Sequence, residues 1–107
     1  MAGKDAEGVY ATGPADVSQN PLTIEYREKF RQAEGTDPGA FFDNAVAATL
    51  ALTNAIAKAG STEPKAIAQA LRTEQVATPF GPISFDAKGE PVGIGFSIYQ
   101  VRDGRYV

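Results

Sequence analysis

The sequence predicts an α/β chain: one early strand, three helices, then a C-terminal β-meander. Three observations carry this. Asn20-Pro21, Asp37-Pro38 and the block Ser61-Thr62-Glu63-Pro64 have the chemistry of helix starts. Gly35 and Gly60 stand where helices of ordinary length would stop. After Thr73 the apolar residues recur with period two rather than three to four.

Val9-Tyr10-Ala11-Thr12 reads as a short strand, stopped by Gly13-Pro14. Residues 15–20 are polar and loop-like. Asn20 is expected to cap a first helix, with Pro21 at its first position, where a missing N–H costs nothing. Leu22, Tyr26, Phe30 and Ala33 form its apolar stripe. Glu25, Arg27, Glu28, Lys29 and Arg31 form its polar face, and Gly35 ends it.

Asp37-Pro38 repeats the device and predicts a long second helix over residues 38–59. Phe41, Phe42, Ala45, Val46, Ala48, Thr49, Leu52, Ala55 and Ile56 cover one broad face. No charge lies between Asp43 and Lys58. A surface helix normally shows a charged face, so this one is expected to be mostly buried. A third helix follows to about Arg72, with Ile67, Ala70 and Leu71 as its stripe.

In the strand region, Ile83 and Phe85 alternate with smaller or polar partners, and Asp86-Ala87-Lys88-Gly89 makes a turn. Ile94, Phe96 and Ile98 point one way; Gly95, Ser97 and Tyr99 point the other. Asp103-Gly104 is a type I′ hairpin signal that folds residues 105–107 back onto residues 99–101. One strand before three helices leaves the uncharged helix short of a sheet. That is the pattern of a piece of a larger domain.

Composition excludes several chemistries. The 107 residues contain no His and no Cys. Thiol catalysis, Ser-His-Asp triads, CxxC redox chemistry and the common zinc sites are therefore absent. A net charge of -3 argues against nucleic-acid binding through a basic stripe. No apolar run is long enough to span a bilayer. The opening Met1-Ala2-Gly3-Lys4-Asp5-Ala6-Glu7-Gly8 has no apolar signal region. This predicts either a cytoplasmic protein or a chain without its natural start.

Four clusters invite a chemical reading. Gly93-Ile94-Gly95-Phe96 lacks the third glycine and the following helix of a phosphate loop, so a strand with small residues on one face is the better reading. Asp86, Lys88 and Glu90 lack the spacing of a calcium loop and read as a solvated turn. Glu25, Glu28 and Lys29 read as a polar helix face with local ion pairs rather than an acid–base group. Phe41-Phe42, at a helix start, either plugs a core or closes over a ligand, and the pattern alone favours the core.

The ordered motifs point further. Asp5-Ala6-Glu7-Gly8 leads into Val9 to Thr12, with Pro14 after it. Asp37-Pro38-Gly39 precedes an alanine-rich helix through Val46-Ala47-Ala48, then Ala59-Gly60-Ser61-Thr62-Glu63-Pro64 follows. Gly81-Pro82-Ile83-Ser84-Phe85-Asp86-Ala87-Lys88-Gly89 leads into the strand from Gly95 to Val101. In this order the chain resembles the C-terminal part of the periplasmic branched-chain amino-acid binding proteins. These are the type I solute-binding proteins of ABC transporters, of the leucine/isoleucine/valine kind.

The resemblance implies that residues 1–107 are one fragment, a partial type I periplasmic-binding-protein lobe. It would hold the closing part of the second lobe and the segments returning to the first. It implies a periplasmic location, an amino-acid ligand held by hinge closure, delivery to an ABC permease, no cofactor, no metal and no catalysis. An acidic ligand contact and the first-lobe contacts would lie upstream of Met1. By counting back from residues 60–64, the aromatic cover over the ligand side chain falls on Phe41, with Phe42 as its neighbour in register. A competing reading is a self-contained ligand-sensing or interaction domain built from the same fold piece, possible as a homodimer through its exposed sheet edge. A small enzyme is disfavoured by the missing His and Cys.

Overall fold

A computed structural model of the chain describes residues 3–107; Met1 and Ala2 lie outside the described residues. After a 3-10 turn at Gly3–Ala6 come strand β1 (Tyr10–Pro14) and helices α1 (Pro21–Glu34), α2 (Phe42–Ala59) and α3 (Pro64–Thr73). Strands β2 (Val76–Thr78), β3 (Gly81–Phe85), β4 (Pro91–Val92), β5 (Phe96–Arg102) and β6 (Arg105–Tyr106) complete it. The order is the expected one, but the late strands divide between two sheets. β2, β3 and β4 form one antiparallel meander; β5 leaves it to pair with β1, and β6 extends that second sheet.

The chain therefore builds two bodies and crosses between them twice, through residues 15–20 and residues 93–95. Its radius of gyration is 16.9 Å, well above the roughly 13 Å of a compact domain of this length. One body is the sheet β1-β5-β6. The other packs α2 against α3 and β2, and α3 against β3. Its apolar core is small: Ala47, Ala51, Ala55, Ala70 and Ile83.

The first helix starts as its sequence dictates. The Asn20 side chain accepts from the Leu22 N–H (2.9 Å), and Gly35 closes the helix in the left-handed conformation. Asn20 also donates to the Thr78 carbonyl (3.3 Å), so the cap ties α1 to the β2–β3 hairpin. Its buried residue is Thr23, beside a stripe of Leu22, Tyr26 and Phe30 that is only half-buried, and Ala33 is exposed.

The second helix departs from expectation in two ways. It begins at Phe42, not Pro38; the Asp37 carboxylate accepts from Arg31 Nε (2.5 Å), and no side chain caps the helix. Its buried line is Asp43, Ala47, Ala51 and Ala55, while Ala45, Ala48, Thr49 and Leu52 are exposed. The helix is not mostly buried: its buried residues follow one line, and the residues beside that line are exposed or half-buried. The uncharged stretch is thus an exposed apolar face.

β1 runs one residue late and continues through Gly13 and Pro14, opposite Ser97 and Phe96. Pro14 is tolerated because β1 is an edge strand, with no second ladder to donate to. At the other end, Asp103 (φ 51°) and Gly104 (φ 74°) make the expected hairpin, and Val107 exchanges backbone hydrogen bonds with Gln100. The alternation of β5 holds, but Phe96 and Ile98 on its larger face stand exposed.

Candidate functional site

A cavity of about 470 Å³ lies where the two bodies meet, beside the first crossing. That volume is within the range of small-molecule sites, about 300–1,000 Å³. Five parts of the chain converge on it: the end of β1 with residues 15–18, Arg27 of α1, Ala40 with Asp43 and Asn44 around the start of α2, Phe80 between β2 and β3, and Tyr99 with Tyr106 from the C-terminal hairpin.

The wall next to the helices is organised by one ion pair. Arg27 donates from Nε to Asp43 Oδ1 (3.1 Å) and from Nη2 to Oδ2 (2.5 Å). Asp43 is buried, so its charge is stable there only because the guanidinium meets it with two hydrogen bonds. The bond to Asp43 raises the Arg27 pKa, against the opposing effect of burial.

The opposite wall is held by β5. The Asp16 backbone N–H donates to Ser97 Oγ (2.9 Å), and Tyr99 donates its phenolic O–H to the Pro14 carbonyl. Gly13 makes room for the Tyr99 ring: a Cβ there would stand 3.1 Å from a ring carbon. Tyr99 in turn meets Tyr106 edge to face, with centroids 6.2 Å apart. The Asp16 carboxylate accepts from the Ser18 N–H through Oδ1 (3.0 Å). That backbone bond, then the Ser18 side chain and the attraction of Arg27, hold its carboxyl below the usual value.

Phe41 occupies the N-cap position of α2, next to the cavity-lining Ala40, and is 76% exposed. Its ring is not part of the cavity wall. Phe42 instead packs edge-on against Phe30 of α1 (5.0 Å). The adjacent pair thus splits between a free ring and a packing ring. Asp16, Arg27, Asp43 and Tyr99 were not singled out in the sequence as site residues. One signal was there: Asp43 is the last charge before the uncharged stretch of α2, and a carboxylate on such a helix needs a partner.

With this geometry in view, comparison with known proteins is decisive. The family model described as periplasmic binding protein matches residues 1–105. The chain belongs to the periplasmic binding protein family. It is 35% identical over 101 residues to the leucine-, isoleucine-, valine-, threonine- and alanine-binding protein of Pseudomonas aeruginosa, covering 94% of this chain and 27% of that one. It is 37% identical over 110 residues to Leu/Ile/Val-binding protein homolog 2 of Brucella abortus, covering 99% and 29%. The ABC transporter substrate-binding protein of Desulfitobacterium hafniense, solved in complex with Leu, superposes with a TM-score of 0.79 at 28% identity, covering 95% of this chain and 31% of that one. The chain thus spans about three tenths of the length of these relatives, and its mixed α/β fold is part of a periplasmic-binding-protein lobe. Its homologues are amino-acid-binding proteins, which supports a solute-binding role. Among the described residues no helix is long and apolar enough to cross a membrane.

Proposed function

We propose that this chain works as the portion of an extracytoplasmic solute-binding protein that carries one wall of the ligand cleft and two of the crossings between its lobes. The solute is an amino acid, branched-chain or related, as in the relatives named above. Closure of the two bodies holds it, and the closed form is delivered to an ABC permease; no covalent step is involved. The observation that carries this reading is the cavity at the crossing of two bodies, in a chain whose relatives bind leucine, isoleucine and valine.

Phe41 fits the part of an aromatic cover. Its ring is exposed, it follows the cavity-lining Ala40, and closure would bring a large apolar surface over a solute side chain.

The test is a calorimetric titration of the whole solute-binding protein carrying this sequence with leucine, isoleucine, valine and then a pool of the remaining amino acids. Saturable binding of one or more is expected. No heat with any of them would overturn the reading. Titrating the 107-residue chain alone, followed by amide NMR, separates a wall of a cleft from a self-sufficient receptor: dispersed peaks that stay in place are expected.

A further inference from the structure

One face of α1 grips the start of α2. Along its length α2 packs on α3 and β2. At its first turn it also meets α1, through side chains. Phe30 receives the Phe42 ring edge-on at 5.0 Å, and Arg27 gives Asp43 a hydrogen bond to each carboxylate oxygen, from Nε and Nη2. Arg27 and Phe30 lie one turn apart and so share a face of α1. The two grips differ in kind. The ring contact is apolar and loosely directional, whereas the fork fixes both distance and orientation. The Asp43 side chain is 6% exposed and that of Arg27 37%, so the pair reaches from packed interior to the cavity that both residues line.

The turn held in this way carries Phe41. No side chain caps α2, so its start lacks the usual local anchor. Phe41 stands just ahead of Phe42 and Asp43 with φ -104° and ψ 14°, between the helical and extended regions. Its carbonyl accepts from the Ala45 N–H (3.1 Å), which ties its backbone to that first turn. We infer that Arg27 is a positioning residue for solute binding: its fork on Asp43 fixes the first turn of α2 on α1 and so holds the Phe41 ring beside the cavity. The assignment rests on the reading of Phe41 as an aromatic cover. It adds what holds the cover in place before the solute arrives. A side chain whose backbone is already fixed has less freedom to lose on binding, so the grip raises affinity without touching the solute.

Arg27→Lys in the whole binding protein tests it. Lysine keeps the charge that Asp43 needs and loses the two-pronged geometry. L-Leucine is the probe, or isoleucine or valine where one of these binds more tightly. Affinity is expected to fall about three- to tenfold, the scale of ordering a side chain on binding. In a Phe41→Ala background the same substitution should change affinity by less than about twofold, because the ring it positions is gone. A fall of equal size in both backgrounds would mean that Arg27 touches the solute or acts on the fold alone, and overturns the assignment; so does no fall with Phe41 present. Where Arg27→Lys does not fold, Asp43→Asn runs the same cycle: it removes the buried charge and leaves Arg27 one acceptor oxygen. If neither folds, the pair determines folding rather than affinity, and the assignment falls. Unchanged affinity in Phe41→Ala overturns the aromatic cover and the assignment with it, while the solute-binding reading stands. Binding of none of the probes, nor of an amino-acid pool, overturns that reading as well.

Discussion

Tyr99 donates its phenolic hydrogen to the carbonyl of Pro14 over 2.6 Å, across 85 positions of sequence. It pins the end of β1 to the middle of β5, where the chain leaves one body for the other. The same ring fills the space that Gly13 leaves open.

Tyr99→Phe should remove that bond and keep the packing on Tyr106. The loss is expected to be about 1 kcal/mol, the net value of a typical intramolecular hydrogen bond. Urea denaturation would show a lower midpoint at an unchanged slope. An unchanged midpoint would mean that water replaces the bond fully.

The two adjacent phenylalanines should separate under mutation. Phe42→Ala loses a half-buried ring against Phe30 and is expected to cost about 2 kcal/mol of stability. Phe41→Ala, at an exposed ring, should leave stability within about 0.5 kcal/mol. It should weaken solute binding in the whole protein by about 1–3 kcal/mol. Unchanged affinity would remove Phe41 from the site.

Gly93 lies at the second crossing with φ 99°, and a Cβ there would come within 2.7 Å of the Pro82 carbonyl oxygen. The obstacle is backbone, which cannot rotate away. Gly93→Ala is therefore expected to destabilise by about 2 kcal/mol or more. Thermal melts of Gly93→Ala and Gly95→Ala should differ, since Gly95 has open space around its Cβ direction.

The Ser18 backbone bond, with the Ser18 side chain and the Arg27 attraction, holds the native Asp16 carboxyl below its ordinary value of 3.8. A carboxylate with a lowered native pKa stabilises the fold above its unfolded value. That contribution is lost as pH falls through the native value. The group faces solvent, so the effect is small. Wild type and Asp16→Asn should differ slightly in melting temperature near neutral pH and converge as the pH drops well below 3.8. A gap that widens on acidification would contradict this.

What could be read from the residues was mostly punctuation. Asn20-Pro21, Gly35, Gly60 and Asp103-Gly104 act through local chemistry, and each does in the structure what its type demands. Asp37-Pro38 does not start its helix; there the Asp37 carboxylate pairs instead with Arg31, six residues back. The buried face of α2 was illegible for another reason. In an alanine-rich helix most faces are about equally apolar, and only contact with α3 and β2 selects Ala47, Ala51 and Ala55. The cavity was less visible still. Asp16, Arg27, Asp43 and Tyr99 come from four separate elements, and no spacing along the chain records that they meet.

The pairing of β1 with β5 also sets a timetable for synthesis. On the ribosome β1 emerges before β5, and its partner follows about 85 residues later. At about 5–20 residues per second the wait is roughly 4–17 s. The helices and the β2–β3 hairpin rest on contacts closer in sequence, so they can form during that interval. Until β5 arrives, Tyr10 to Pro14 has no strand to pair with, and afterwards Phe96 and Ile98 add exposed apolar surface beside it. Such a strand is a target for chaperone capture until β5 pairs with it.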